Sequence, residues 1–347
     1  MTSWQQELKN SITTSNELAR ALGCNEAEIA KVSARYPLRL SPYYLNLIKK
    51  TGTPLYRQAV PDLRELDDPQ GMLDPLGEEE LSQVPNLVHK YPDRALFLIC
   101  SECAMYCRFC TRKRKVGKST MAITDKTIAA GLEYLRATPA IREVLLSGGD
   151  PLLLNDQRLD SILQRLRTIK SIEVIRIGTR VPCTLPMRVT ANLVKILKKY
   201  HPLFINTHFN HPAEITPEAG RACALLADAG IPLGCQTVLL RGVNDSPEIM
   251  QKLMCGLLKI RVKPYYLFQA DLTRGTGHFR TTIDTGLAIM RSLIGSISGM
   301  AVPTYALDAP GGKGKIPLTP EYITSFGDPL TFVNYRNQPC SYPNTVQ

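Results

Sequence analysis

Four cysteines stand within the eleven residues CSECAMYCRFC, positions 100–110, and four cations follow at once in RKRK, positions 112–115. Ten cysteines in a chain of 347 residues do not make a disulfide framework, and so tight a group reads as a metal site. Two ligand sets are open. A structural zinc ion would take all four sulfurs and be chemically silent. Alternatively Cys103, Cys107 and Cys110, spaced C-x3-C-x2-C, would hold three irons of a [4Fe–4S] cube and leave the fourth iron free for a substrate. Zinc modules usually present two separated pairs, whereas all four sulfurs here come from one short loop. Cys100 also ends the apolar run ALFLIC, where a buried strand residue is expected. The spacing therefore favours the cluster, and the remaining cysteines are expected to be small buried apolar residues.

The elements that must position such a loop follow from hydrophobic periodicity. Short apolar or β-branched runs at 95–100, 143–148, 173–178, 203–209, 236–242 and 263–270 alternate with amphipathic helical stretches, which indicates βαβ units and a parallel sheet. Polar or glycine-containing groups follow every run at its C-terminal end: the cysteines, SGGD, GTR, THFNH, RGVND and QADLTRG. An open sheet concentrates its site at one crevice, while a barrel draws on many strands. The expected class is therefore α/β, a partial (β/α)6 TIM-like barrel spanning residues 86–320. It follows a helical accessory region and acidic connector, residues 1–85, and precedes a C-terminal tail, 321–347.

The formal charge of +11 raises the question of nucleic acid. The basic residues are spread along the chain without interleaved aromatic platforms, so no nucleic-acid partner is expected. The RKRK run reads as solvated surface, or else as a site for anionic ligands. No apolar run approaches the ~20 residues needed to cross a bilayer, and the polar N-terminus is unlike a secretion signal; a cytoplasmic protein with no membrane partner is expected.

The stretches CAMYCRFCTRKR, VLLSGGDPLL, IRIGTRVP, KYHPLFINTHFNHPAEIT, TVLLRGVND, PYYLFQADLTRGTGHFRT and VPTYALDAPGGKGKIPL run in this order within residues 86–320. Together they resemble the lysine 2,3-aminomutase family of radical S-adenosylmethionine enzymes. The resemblance implies three cofactors: a [4Fe–4S] cluster, S-adenosylmethionine and pyridoxal 5′-phosphate. It implies that a 5′-deoxyadenosyl radical takes hydrogen from the β-carbon of L-lysine, whose α-amino group then migrates to that carbon to give β-lysine. A one-electron reductant such as flavodoxin or ferredoxin would start the reaction.

Carried over residue by residue, the resemblance assigns Cys103, Cys107 and Cys110 to the cluster and Lys315 to pyridoxal phosphate, with Lys313 as rival. Lys90, Tyr91 and Arg94 fall to the phosphate, Lys90 standing where the family has arginine. Ser147, Gly148, Gly149, Asp150, His208 and Gln236 fall to S-adenosylmethionine, although His208 reads equally as a buried, hydrogen-bonded histidine. Arg176, Arg180 and Asn206 are further candidates for the cavity wall. Arg112 is assigned to the substrate carboxylate, and Asp271 and Asp308 to its ε-ammonium. Some of the family bind zinc between subunits through additional cysteines; here Ser246 follows GVND and only Cys340 lies near the C-terminus, so no zinc is expected. A homo-oligomer is expected on general grounds. A relative that makes β-lysine for elongation factor P and arginine 2,3-aminomutase are alternatives within the class. A non-catalytic zinc or nucleic-acid-binding protein is the alternative outside it.

Overall fold

Alternation of apolar residues along each strand sorts side chains between two faces, and this sorting builds the site. In the computed structural model, which describes residues 4–345, Val144 and Leu146 are buried while Leu145 and Ser147, one residue out of phase, line an interior cavity. The same period of two sends Arg176, Gln236, Val238, Tyr266 and Phe268 to that interior. A one-residue slip would exchange the two sets.

Ten strands form one sheet in sequential order: β1 (Ser82–Val84), β2 (Leu87–Tyr91), β3 (Arg94–Cys100), β4 (Glu143–Gly148), β5 (Val174–Gly178), β6 (Leu203–Thr207), β7 (Leu233–Leu239), β8 (Lys263–Gln269), β9 (Thr304–Ala309) and β10 (Gly314–Pro317). β3 to β9 are parallel, whereas β1–β2, β2–β3 and β9–β10 pair antiparallel. The structure thus extends the six-stranded expectation. β9 is a seventh parallel strand, and hairpins finish both edges. The two edges do not pair, and side chains bridge them instead: Lys90 Nζ lies 3.4 Å from Asp308, and Lys315 N donates to the Tyr91 hydroxyl at 3.2 Å.

Helices Asp125–Ala137, Asp156–Arg167, Ala191–Leu197, Pro217–Asp228, Pro247–Lys259 and Ile283–Leu293 cover the outside. Each is preceded by a Thr, Asn or Ser whose side chain accepts from the N–H three residues on, so each start is set locally. Ser246 is one of these caps. Residues such as Leu159, Ile162, Leu163 and Leu166, spaced at three and four, bury one stripe against the sheet. No helix among the described residues is long and apolar enough to cross a membrane.

The accessory region folds as helices Trp4–Lys9, Ser15–Leu22, Glu26–Ser33, Pro42–Thr51 and Thr53–Ala59. Its backbone grips the cysteine loop, since Tyr106 N donates to Arg39 O at 3.0 Å and Arg108 N to Gln58 O at 2.9 Å. The tail forms a separate antiparallel sheet of β11 (Ile323–Ser325), β12 (Leu330–Val333) and β13 (Pro339–Tyr342).

The basic run is matched cation by cation with carboxylates of the chain itself. Arg112 pairs with Glu78 at 2.6 Å, Lys113 with Glu65 at 2.7 Å, Arg114 with Asp74 at 3.0 Å, and Lys115 with Glu79 at 3.1 Å. The acidic connector is therefore laid onto the cations that follow the cysteines. Asp68 extends the belt by accepting from the backbone of Gly275, Thr276 and Gly277 and from Arg280, which fixes the loop after β8. Glu65 is fully buried and also holds Arg108 at 2.6 Å. Its two cations keep its carboxyl below the usual range although desolvation alone would raise it. Glu65→Ala strands two buried cations and should cost about 3–5 kcal/mol of unfolding free energy. Glu79→Ala, at an exposed pair, should cost under about 1 kcal/mol. Denaturant unfolding of the two variants checks this.

Candidate active site

Every residue assigned above to a cofactor or to substrate, the rival Lys313 excepted, lines one cavity of about 580 Å³. The cysteines lie at the C-terminal end of β3 and Arg94 at its start, so the cavity runs the length of the barrel.

At the cysteine end, backbone proximity decides the residue types. Gly148 has φ +137°, and a Cβ there would lie 2.0 Å from Cys100 O; one on Gly149 would lie 2.3 Å from Glu102 O. Both glycines let the end of β4 press on the cysteine loop, where Gly149 N donates to Cys100 O and Asp150 N to Glu102 O, each at 2.7 Å. Cys100 is buried at the end of β3, its thiol pushed up to about 11 by burial, and it does not line the cavity. Cys103, Cys107 and Cys110 do line it. They are only half-covered, but the surface they expose is cavity wall, and desolvation, followed by Asp150 for Cys103 and by the Cys107 sulfur for Cys110, pushes these two thiols above the usual range. Three soft sulfur donors crowded at one end of a cavity, with Arg112 and Arg180 in the same wall, suit a cluster whose irons neutralise the thiolates. Among the described residues no three His, Cys, Asp or Glu side chains converge tightly enough for a single ion.

Asp150 lines the cavity, but its carboxylate is occupied by the protein. It accepts from Leu152 N at 3.1 Å, Thr179 Oγ1 at 2.6 Å and Arg180 N at 2.7 Å, tying the loops after β4 and β5 together. His208 is a part-buried, hydrogen-bonded histidine that also faces the cavity, bonding Asn210 Oδ1 at 2.9 Å. That oxygen also accepts from Val238 N, so the proton sits on His208 Nε2 and Nδ1 is the acceptor. Burial and the Arg180 charge push the ring down to about 3, so it stays neutral. Arg112 has its Nε and Nη2 edge held by Glu78, while Nη1 reaches Ser147 Oγ at 3.3 Å and Gly148 O at 3.4 Å. Glu78 was not foreseen. The EEE run facing RKRK in charge was its only signal.

Around Lys315, register decides. Lys315 on β10 stands directly opposite Asp308 on β9, so both side chains share one face, with Nζ 3.1 Å from Asp308. Lys313 sits at the exposed hairpin tip, outside the cavity wall. Gly311 and Gly312 turn that tip with φ near +75°, and Gly311 N donates to Pro75 O at 2.8 Å, which pins the hairpin to the connector. Lys315 Nζ lies 5.3 Å from the centre of the Phe268 ring, and Phe268 stacks on Tyr266 at 4.8 Å. Arg94 lies over the Tyr91 ring at 4.0 Å. Burial and then the neighbouring Asp308 push the Asp271 carboxyl up to about 7.

Comparison with known proteins agrees with this geometry. The Radical SAM superfamily model matches residues 98–253, and the lysine-2,3-aminomutase model matches residues 290–345. The chain is 50% identical to the L-lysine 2,3-aminomutase of Methanococcus maripaludis over 98% of its own length and 80% of the relative's. It is 48% identical to that of Fusobacterium nucleatum over 93% and 77%. It is also 45% identical to the glutamate 2,3-aminomutase of Clostridioides difficile over 93% and 78%. Superfamily membership brings with it a [4Fe–4S] cluster and S-adenosylmethionine. Barrel, cysteine loop and cavity are thus those of an aminomutase, and the chain belongs to the lysine 2,3-aminomutase family of radical S-adenosylmethionine enzymes.

Proposed function

We propose that this chain converts L-lysine to β-lysine with pyridoxal 5′-phosphate as a further cofactor, and that Asp271 and Asp308 select the substrate. The observation carrying this reading is the pair of carboxylates, Asp271 and Asp308, in the wall of the same cavity, Asp308 lying 3.1 Å from Lys315 Nζ. When bound, the cluster with S-adenosylmethionine supplies the 5′-deoxyadenosyl radical, and pyridoxal phosphate carries the migrating amino group.

The chain's own residues do the rest. Cys103, Cys107 and Cys110 hold the cluster. Gly148, Gly149 and Ser147 offer backbone and hydroxyl groups near it, with His208 Nδ1 and Gln236 further acceptors for S-adenosylmethionine. Lys315 anchors pyridoxal phosphate against the Tyr266–Phe268 wall, and Arg94, Lys90 and Tyr91 hold its phosphate. Arg112 binds the substrate carboxylate. Once Lys315 is committed to the cofactor and Lys90 is drawn to the phosphate, Asp308 loses both of its present cations. Asp271 and Asp308 then need a new one, and the ε-ammonium of lysine provides it. The side-chain carboxylate of glutamate would meet two like charges there. The connector, pinned to the loops over the cavity, excludes water. A one-electron donor of the flavodoxin or ferredoxin kind, a cytoplasmic setting and a homo-oligomeric state complete the proposal.

Lysine, arginine, ornithine and glutamate should be supplied in turn under strictly oxygen-free conditions, with S-adenosylmethionine and dithionite. β-Lysine is the expected product; turnover of glutamate or arginine in preference to lysine would overturn the substrate assignment. Asp271→Ala should raise KM for lysine about 10- to 100-fold, the loss of one charge-assisted contact. Because Asp271 is a neutral acid below about pH 7, KM for lysine in the unaltered protein should fall as pH rises through 7. Asp271→Ala should flatten that profile.

A further inference from the structure

Arg180, in the loop after β5, is almost wholly buried, yet none of the roles above uses it. Its Nη1 lies 2.9 Å from Cys107 Sγ. Its Nη2 donates to Gln58 Oε1 and to Glu214 Oε1, each at 2.7 Å. Glu214 is in turn fixed by the Tyr44 hydroxyl at 2.6 Å and by the backbone N–H groups of Asn210 and His211. Gln58 is itself buried and accepts from Asn210 Nδ2 as well. Two accessory helices, through Tyr44 and Gln58, and the segment after β6, through Glu214, thus fix the plane of one guanidinium so that one corner meets a cysteine sulfur. Nε is buried with no hydrogen-bond partner among the described residues, so the group has a further donor to give.

A positive group donating to a cluster sulfur favours the reduced state, because reduction adds negative charge that spreads onto the sulfurs. Hydrogen bonds to sulfur and local charge are among the main determinants of cluster potential. We infer that Arg180 is a positioning residue that raises the reduction potential of the cluster by donating to Cys107, and that Gln58 and Glu214 hold it in place for that purpose. The accessory region then reaches the chemistry through this contact and is more than a cover for the barrel.

This rests on Cys103, Cys107 and Cys110 holding a [4Fe–4S] cluster, and the test separates the two claims. The cluster in reconstituted full-length protein is titrated anaerobically with dithionite and mediators, without S-adenosylmethionine, and the reduced form is counted by electron paramagnetic resonance. Arg180→Lys keeps the charge beside Glu214 but cannot serve both Cys107 and the Glu214–Gln58 pair. The double variant Arg180→Met with Glu214→Gln removes a cation and an anion together, so no buried charge is stranded, and the hydrogen bond to sulfur is lost. At a fixed potential the double variant should show a reduced-to-oxidised ratio at least about tenfold lower, which is 59 mV for a one-electron couple. Arg180→Lys should move the same way by less. A double variant with full iron content and an unshifted midpoint would remove the role of Arg180 alone. Unaltered protein with no reducible iron–sulfur signal would remove the cluster reading and this inference with it.

Discussion

Lys315→Ala will bind pyridoxal phosphate without the absorbance of a lysine-linked cofactor and will lose at least about 10³-fold in kcat/KM, the scale expected when the residue of a covalent step is removed. The hairpin explains why this lysine and not its neighbour. Strand residues two apart share a face, so Lys313 and Lys315 would be equivalent if both stood in β10. They do not, because β10 begins at Gly314, and Lys313 belongs to the turn. Lys315 is left opposite Asp308 and lines the cavity, while Lys313 faces no carboxylate across the hairpin and lies outside the cavity wall. Lys313→Ala should therefore stay within a few fold of the unaltered enzyme, as surface substitutions usually do. Absorbance of a lysine-linked cofactor that survives Lys315→Ala and vanishes in Lys313→Ala would transfer the role.

What could be read from the chain beforehand divides along physical lines. The six central strands were evident because each is a run of apolar residues four to eight long, bounded by turns and followed by a helix with its own cap. β9 escaped because TYALDA mixes polar residues into its cavity face: Asp308 lines the wall there, and a charged residue spoils the pattern that marks a strand. The β1–β2 hairpin escaped for a similar reason, since LVHKY carries Lys90 and Tyr91 toward the site. Local spacing singled out the cysteines because all three candidate ligands lie in one loop. It could not find Glu78 or Glu214, which meet Arg112 and Arg180 only once the chain has folded, 34 residues away in each case. The RKRK run shows the same limit. Composition alone permits a solvated face, and only the path of the connector shows each cation already matched by a carboxylate.

Cys107→Ala, and equally Cys103→Ala or Cys110→Ala, should leave no measurable aminomutase activity and less than a full cube by iron and sulfide analysis, whereas Cys100→Ala should keep the cluster. The contrast follows from where the four sulfurs sit. Cys100 completes a strand register in which it pairs with Gly148, and its thiol contacts Glu102 O at 3.5 Å on the packed side of the loop. Burial holds that thiol protonated far above neutral pH, so ionising it for a metal would cost several pKa units of free energy at about 1.4 kcal/mol each. Burial also raises the free Cys103 and Cys110 thiols, but Cys103, Cys107 and Cys110 line the cavity with cationic side chains in the same wall, where binding iron would release the protons. Three protein ligands on a cube leave one iron uncapped, and only an uncapped iron can take the amino and carboxylate groups of S-adenosylmethionine. Iron content, visible absorption and β-lysine formation measured side by side on the four variants distinguish the cases. If Cys100→Ala lost its metal together with the other three, all four sulfurs would be ligands. The site would then be closed, and a saturated zinc ion would fit it better than a catalytic cluster.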